Sequence, residues 1–214
     1  MKKSILPALL CVAMLCSQAL HSQVFYEKGY FIDTNGVRND CFIRNIIWLY
    51  NPDSFEFKDE RGGKPGVKSA RDVLEFGVGF YRYVSRQVML DTSSDENDDF
   101  RISRKSEPEW KSDRLFLRVM VDGTASLYFY QNQSILRFFY SVNGEPTDQL
   151  IYKRYKHADD DEVYFYYNES YKNQLFSKVN CRHVGINKFN SVNYSLASLK
   201  KLFSYYNECI VGGK

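Results

Sequence analysis

The chain has 214 residues, is 44% hydrophobic and carries a formal charge of +3. Its 17 Tyr and 16 Phe make it unusually aromatic, which favours strands over helices and calls for a core built around rings with polar tips. The length fits one domain of ordinary size, and nothing in the near-balanced charge reads as the clustered basic footprint of a nucleic-acid-binding surface.

Residues 1–22 have the layout of a secretory signal peptide. Lys2 and Lys3 form a positive start, Ile5 to Leu15 a short apolar core, and Ala19 to Ser22 offer small-residue cleavage sites before Gln23. An apolar run of about eleven residues is too short to cross a bilayer comfortably, which takes about twenty. Residues 23–214 are then expected as one exported β-rich domain in the periplasm or cell envelope, or secreted, with no transmembrane segment after signal removal. Cys16 opens a lipoprotein alternative, for which Ala13, Met14 and Leu15 make a poor recognition sequence. Once Lys2 and Lys3 leave, 27 of the 29 basic residues face 26 acidic ones.

Strand patterns follow at residues 24–32 and 38–45, and the Asn35-Gly36 pair between them signals a hairpin. A two-residue turn there sets Thr34 opposite Val37 and Asp33 opposite Arg38. Further strands are expected at 54–58, 73–77 and 81–90, with Gly62 to Gly66 as a loop. Residues 91–112 read as a long mobile excursion that Phe100, Ile102 and Trp110 could pin to the body. An antiparallel meander is expected from strands at 115–121, 125–130, 135–142 and 149–155. A three-residue loop, Val121 to Gly123 with Gly123 left-handed, pairs Leu117 with Leu127 and Leu115 with Phe129, giving one coherent apolar face.

The period then changes to helical. Asn168 caps a run with Tyr171, Leu175, Phe176 and Val179 on one side, and Ser195 caps another with Leu196, Leu199, Leu202, Phe203 and Tyr206. The expected fold class is α+β, mainly β: a twisted antiparallel meander sheet, as a sandwich or partly closed barrel, with two short C-terminal helices at about 168–209. Cys181 and Cys209 each end a candidate helix and are natural disulfide partners in an oxidising compartment, the alternative being that both stay free with Cys41. Cys41, within a strand, reads as a small buried hydrophobe.

Catalytic signals are thin. Only His157 and His183 remain after signal removal, and no Ser sits in a Gly-x-Ser-x-Gly turn. Cys181 and His183 are two apart, so their side chains diverge. Gly62-Gly63-Lys64 is followed by Pro65, and Lys58 stands where a phosphate loop needs its upstream Gly. Asp95, Asn97 and Asp99 imitate the start of a calcium loop, but Phe100 occupies the Gly position; Asp95 to Asp99 and Asp159 to Glu162 read as solvated acidic loops, with weak calcium binding left open. No cofactor, metal site or catalytic group is assigned. Trp48, Trp110, Tyr164 and Tyr166 are the candidates for an aromatic patch that binds an envelope protein, peptide or glycan, against the plainer reading of such rings as core.

Several stretches carry a resemblance: residues 25–30, 127–130 with 137–140, 149–155, and the endings Val179-Asn180-Cys181 and Tyr206-Asn207-Glu208-Cys209. In these the chain resembles a family of uncharacterised exported proteins of Bacteroidetes-type bacteria, whose N-terminal β-rich domain often precedes an outer-membrane β-barrel. The chain ends five residues after Cys209, so the barrel is not carried over. Some similar sequences bear names suggesting a tRNA-modifying GTPase, which the missing phosphate loop and the leader contradict. The resemblance implies a non-enzymatic binding or accessory role in the envelope; an exported hydrolase with a site assembled from distant residues, or a structural module, are the alternatives.

Overall fold

The computed structural model describes residues 25–46, 48–95, 102–156 and 164–212. The leader with Cys11 and Cys16, His157, and most of both acidic runs (96–101 and 157–163) lie outside the described residues. The strands are β1 (Tyr26–Asp33), β2 (Arg38–Arg44), β3 (Ser54–Lys58), β4 (Gly66–Ser69), β5 (Val73–Val78), β6 (Tyr81–Asp91), β7 (Trp110–Val121), β8 (Ala125–Gln131), β9 (Leu136–Val142), β10 (Asp148–Gln149), β11 (Lys153–Tyr155) and β12 (Tyr166–Asn168). The helices are α1 (Tyr171–Lys178), α2 (Asn187–Asn190) and α3 (Leu196–Gly212), with a 3-10 turn at Cys181–His183. Strands β1 to β10 form one antiparallel sheet in the order β10-β9-β8-β7-β6-β5-β1-β2-β3-β4, and β11 pairs with β12 in a separate ribbon. The sheet is open, with β4 and β10 as edges, and does not close into a barrel.

Register assigns the core to two faces. Phe31, Phe76, Tyr83, Phe116, Phe129 and Phe138 follow one another across β1, β5, β6, β7, β8 and β9 on one face. Near β3 this face rolls over itself, because Phe55 stacks on Phe76 at 4.2 Å although two strands lie between them. Toward β9 the same face is covered by helices, with Leu175, Phe189, Leu199 and Phe203 packed on Leu127, Phe138 and Tyr140. The opposite face carries Val84, Leu117, Tyr128 and Phe139, all buried. There the sheet rolls the other way: the Asp91 N–H at the end of β6 donates to Oε1 of Gln149 on β10 at 2.9 Å.

Two side chains replace missing ladder partners, and they explain where register differs from expectation. Asn207 of α3 accepts from the Ala125 N–H at 2.8 Å and donates to the Ala125 carbonyl at 2.9 Å, so helix rather than strand completes the start of β8. Gly123 is required beneath it, since a Cβ there would lie 2.5 Å from Asn207 Nδ2. As a result β7 and β8 pair as Arg118 with Phe129 and Val119 with Tyr128, bulge before Val121, and do not adopt the tight loop with a left-handed Gly123. Further along, Asn51 donates to the carbonyls of Phe116 and Phe129 and accepts from the Gln131 N–H, filling the opening between these strands.

The first hairpin also differs by one residue. Ile32 pairs with Arg38, and Asp33 N–H bonds the Val37 carbonyl, leaving the three-residue loop Thr34-Asn35-Gly36 with Gly36 at φ +82°. The Asp33 carboxylate accepts the N–H groups of Asn35 and Val37, which stabilises this bulged turn over the two-residue form. Strand β7 begins at Trp110, earlier than expected, and residues 102–109 are tied down through Asp91 and Lys153 rather than standing free. The stretch expected as one strand at 149–155 is interrupted because Gln174 of α1 bonds the Ile151 N–H and the Gln149 carbonyl. Strands β4 and β12, helix α2 and the 3-10 turn add to the expected elements. Cys181 and Cys209 form a disulfide that joins the 3-10 turn to α3, and Cys41 is a buried free thiol. No described helix is long and apolar enough to cross a membrane.

Candidate functional site

The four rings selected from sequence lie on three different parts of the fold. Trp48, in the β2–β3 connection, packs against Phe76 and Tyr83 at about 6 Å and belongs largely to the core. Trp110 heads β7, 43% exposed, beside Met89, Gln149 and Gln174. Tyr164 and Tyr166 are on β12 and its approach, with the Tyr166 ring 5.7 Å from that of Tyr155. Cys181 is engaged with Cys209 and so supplies no thiolate to His183, whose side chain lies outside the description. Among the described residues no group of three or more His, Cys, Asp or Glu converges as a metal site.

A different constellation is better built. On β9, Arg137 occupies the face of Phe139, so strand alternation drives a guanidinium into the rolled interior, where its side chain is 2% exposed. Nothing so polar survives there without partners, and the chain leaving β6 wraps around it. Nε donates to the Asp91 carbonyl at 3.1 Å, Nη1 to the Leu136 carbonyl at 2.8 Å and to both Asp95 oxygens at 2.6 Å, and Nη2 to the Ser93 carbonyl. Asp91, 1% exposed, faces Nη2 at 3.6 Å, while its other oxygen accepts the Ser93 hydroxyl and the N–H groups of Ser93 and Glu109. The Leu136 N–H and the Ser134 carbonyl complete the hold on Asp95, whose side chain is 44% exposed.

Asp95 and Arg137 open onto a recess of about 330 Å³ whose other walls are Leu136, Tyr152, Arg154, Tyr167 and Tyr194. The tyrosines form a column: Tyr152 stacks on Tyr194 at 4.7 Å and 18°, and on Tyr167 at 5.9 Å and 21°. Tyr194 anchors the column, its hydroxyl accepting the Phe138 N–H and donating to the Leu150 carbonyl, each at 3.1 Å. Burial raises the ionisation of Tyr194 and Tyr152 above the ordinary tyrosine range, so both are neutral donors at any physiological pH. The outermost ring, Tyr167, is 50% exposed, and the Arg154 guanidinium lies 4.8 Å over the Phe165 ring.

A larger hollow of about 620 Å³ lies over β1, β2, β5 and β6 beside Lys28, Tyr30, Phe42 and Arg82. Among the described residues no buried charge lies beneath it, and three of its polar side chains are engaged: the Tyr30 hydroxyl and Arg82 both bond Glu75, and Arg38 bonds Asp40. The tyrosine recess is therefore the stronger site. The sequence signal for it was the place of Arg137 between Ile135 and Phe139 on an inward-facing period of β9; Asp95, Tyr152 and Tyr194 come from separate segments with no such mark.

No protein-family model, curated protein or solved structure matches this chain.

Proposed function

We propose that the protein is an exported cell-envelope domain that works by binding, with the tyrosine recess as its ligand site. One observation carries this reading: a buried Arg137, bonded through each of its three guanidinium nitrogens, fixes an accessible carboxylate at the mouth of a recess walled by stacked rings. Preorganised polar groups within an apolar wall are what a binding site requires. The leader-like residues 1–22 and the Cys181–Cys209 disulfide support an oxidising, exported setting. Glycoside hydrolysis calls for two carboxylates flanking one bond, and Asp95 is the one carboxylate among the described residues lining the recess.

The test is to immobilise the mature chain and challenge it with envelope extract. A component retained by the wild type and released from Tyr167→Ala is the expected outcome. Reproducible retention of nothing, or retention indifferent to Tyr167, overturns the reading.

A further inference from the structure

We propose that the hollow beside Trp110 is a second binding site, one that takes the carbonyl oxygen of a neutral N-acyl group; it lies beyond the tyrosine recess and does not depend on it. An orphaned donor carries the inference. Among the described residues three buried side-chain polar atoms have no hydrogen-bond partner: Trp48 Nε1, Asp91 Oδ2 and Gln149 Nε2. The first belongs to an indole packed on Phe76 and Tyr83 in the core, and the second faces Arg137 Nη2 at 3.6 Å, where opposite charge compensates it. Gln149 differs from both. The residue is 4% exposed, yet it forms part of the wall of a hollow of about 280 Å³, with Met89, Trp110, Asp148, Ile151 and Gln174 around it. A buried donor left unbonded is costly, and an acceptor arriving in the hollow removes that cost.

The carboxamide is fixed in place. Its Oε1 accepts the Asp91 N–H at 2.9 Å, which settles which end is the oxygen and leaves Nε2, with its two hydrogens, as the free end. Asp91 is the strand partner of Trp110, so the anchored amide stands beside the residue that opens β7. Gln174 is committed elsewhere: its Oε1 accepts the Ile151 N–H at 2.8 Å and its Nε2 donates to the Gln149 carbonyl at 2.9 Å.

The remaining lining sets the ligand class. Asp148, exposed at the rim, is the one ionisable side chain among the described residues of the lining, and Lys178 of α1, which feels its charge, is already paired with Glu145 at 2.9 Å. An anionic acceptor such as a carboxylate or phosphate is therefore repelled, and a neutral carbonyl is favoured. The Asp148 carboxylate in turn accepts an N–H, so a secondary amide offers a partner to each polar group. Trp110 at 43% exposure, Met89 at 49% and Ile151 supply apolar surface for the acyl carbons. The volume falls just below the ~300–1,000 Å³ of whole small-molecule sites, which suits one projecting acylamino group. Such groups occur on amino sugars and on peptides, and the hollow reads the chemistry they share.

The chain has two tryptophans, so the indole region of a 1H–15N spectrum holds one signal at the site, from Trp110, and one internal reference, from Trp48. The 15N-labelled mature chain is titrated with N-acetylglucosamine, N-acetylalanine methylamide, glucose and acetate. At least one of the two N-acyl probes is expected to move the Trp110 indole and the Gln149 side-chain amide with a Kd of about 10 mM or tighter, while glucose and acetate bind at least about tenfold more weakly and Trp48 stays in place. Preference between the two N-acyl probes tells a sugar source from a peptide source. Trp110→Ala, read on the Gln149 amide, is expected to weaken binding about tenfold or more, and Trp110→Phe, which keeps a ring, to weaken it less. Gln149→Met removes the donor and is expected to abolish binding; it also strips the Asp91 N–H of its acceptor, so it is read only with Trp48 at its wild-type position, and the Trp110 variants decide if it does not fold. The proposal is overturned if neither N-acyl probe moves Trp110 at about 50 mM, if glucose or acetate binds as well as they do, if Trp110 moves while the Gln149 amide stays still, or if Trp110→Ala binds undiminished.

Discussion

Replacing Arg137 with Met is the sharpest perturbation of this structure, because it removes a charge and leaves its partners in place. The guanidinium bonds the carbonyls of Asp91, Ser93 and Leu136 and the Asp95 carboxylate, with Asp91 a further 3.6 Å contact. Asp95 is 44% exposed and recovers by hydration, but Asp91 is 1% exposed and does not. Breaking a buried pair from one side costs about 3–5 kcal/mol, and the loss is a large part of the ~5–15 kcal/mol total stability of a domain. Urea unfolding followed by tyrosine and tryptophan fluorescence reads this as a lower midpoint at unchanged slope. The double variant Arg137→Met with Asp91→Asn removes the stranded charge and is expected to regain about 1–2 kcal/mol, giving a coupling well beyond the ~0.5 kcal/mol scatter of independent sites. A loss below about 1 kcal/mol in the single variant, or additivity in the cycle, would show that the network does not hold the recess.

Asn207→Ala removes both bonds to Ala125 and is expected to cost about 1–3 kcal/mol, with amide exchange accelerated first at Ala125 and Gly123. Thiol titration of the mature chain, denatured without reductant, should find one free thiol, Cys41; reduction of the bridge, which spans 28 residues, should lower stability by about 3–4 kcal/mol. The Cys41 thiol is pushed up to about 11, chiefly by burial with Asp59 and Asp40 adding to it, so alkylation of the folded protein at pH 8 should run far below that of an unfolded control. Because the folded state holds this proton more tightly, its contribution to stability is complete below the unfolded thiol value, near pH 8.5, and declines as pH climbs toward 11. Alkylation at equal rates in the two states would contradict the burial.

The local alternation of side chains was sufficient for most strands: β3 spans Ser54–Lys58 as its Phe55 and Phe57 alternation suggests, and α3 buries the expected Leu199, Phe203 and Tyr206. What sequence could not supply was pairing made by side chains from far along the chain. Asn51 and Asn207 act as substitute strand partners for β7 and β8, and Gln174 interrupts the stretch before β11, each across tens of residues with no local trace. The glycine that opens β4 sits in a Gly-rich loop and conceals a strand behind turn chemistry. For the site, abundance of tyrosine was legible, but choosing Tyr152, Tyr167 and Tyr194 over Trp48 and Trp110 required knowing that the sheet rolls both ways, taking Trp48 into one core and Arg137 into the other.

The most direct test of the recess as the binding site is a spectrum of the mature chain carrying 13C-labelled tyrosine rings, recorded before and after addition of envelope extract. Shifts confined to Tyr167 and Tyr152, with Tyr205 and Tyr30 unmoved, are expected. Unchanged rings throughout, or shifts centred on any surface other than the Asp95 recess, would contradict the account.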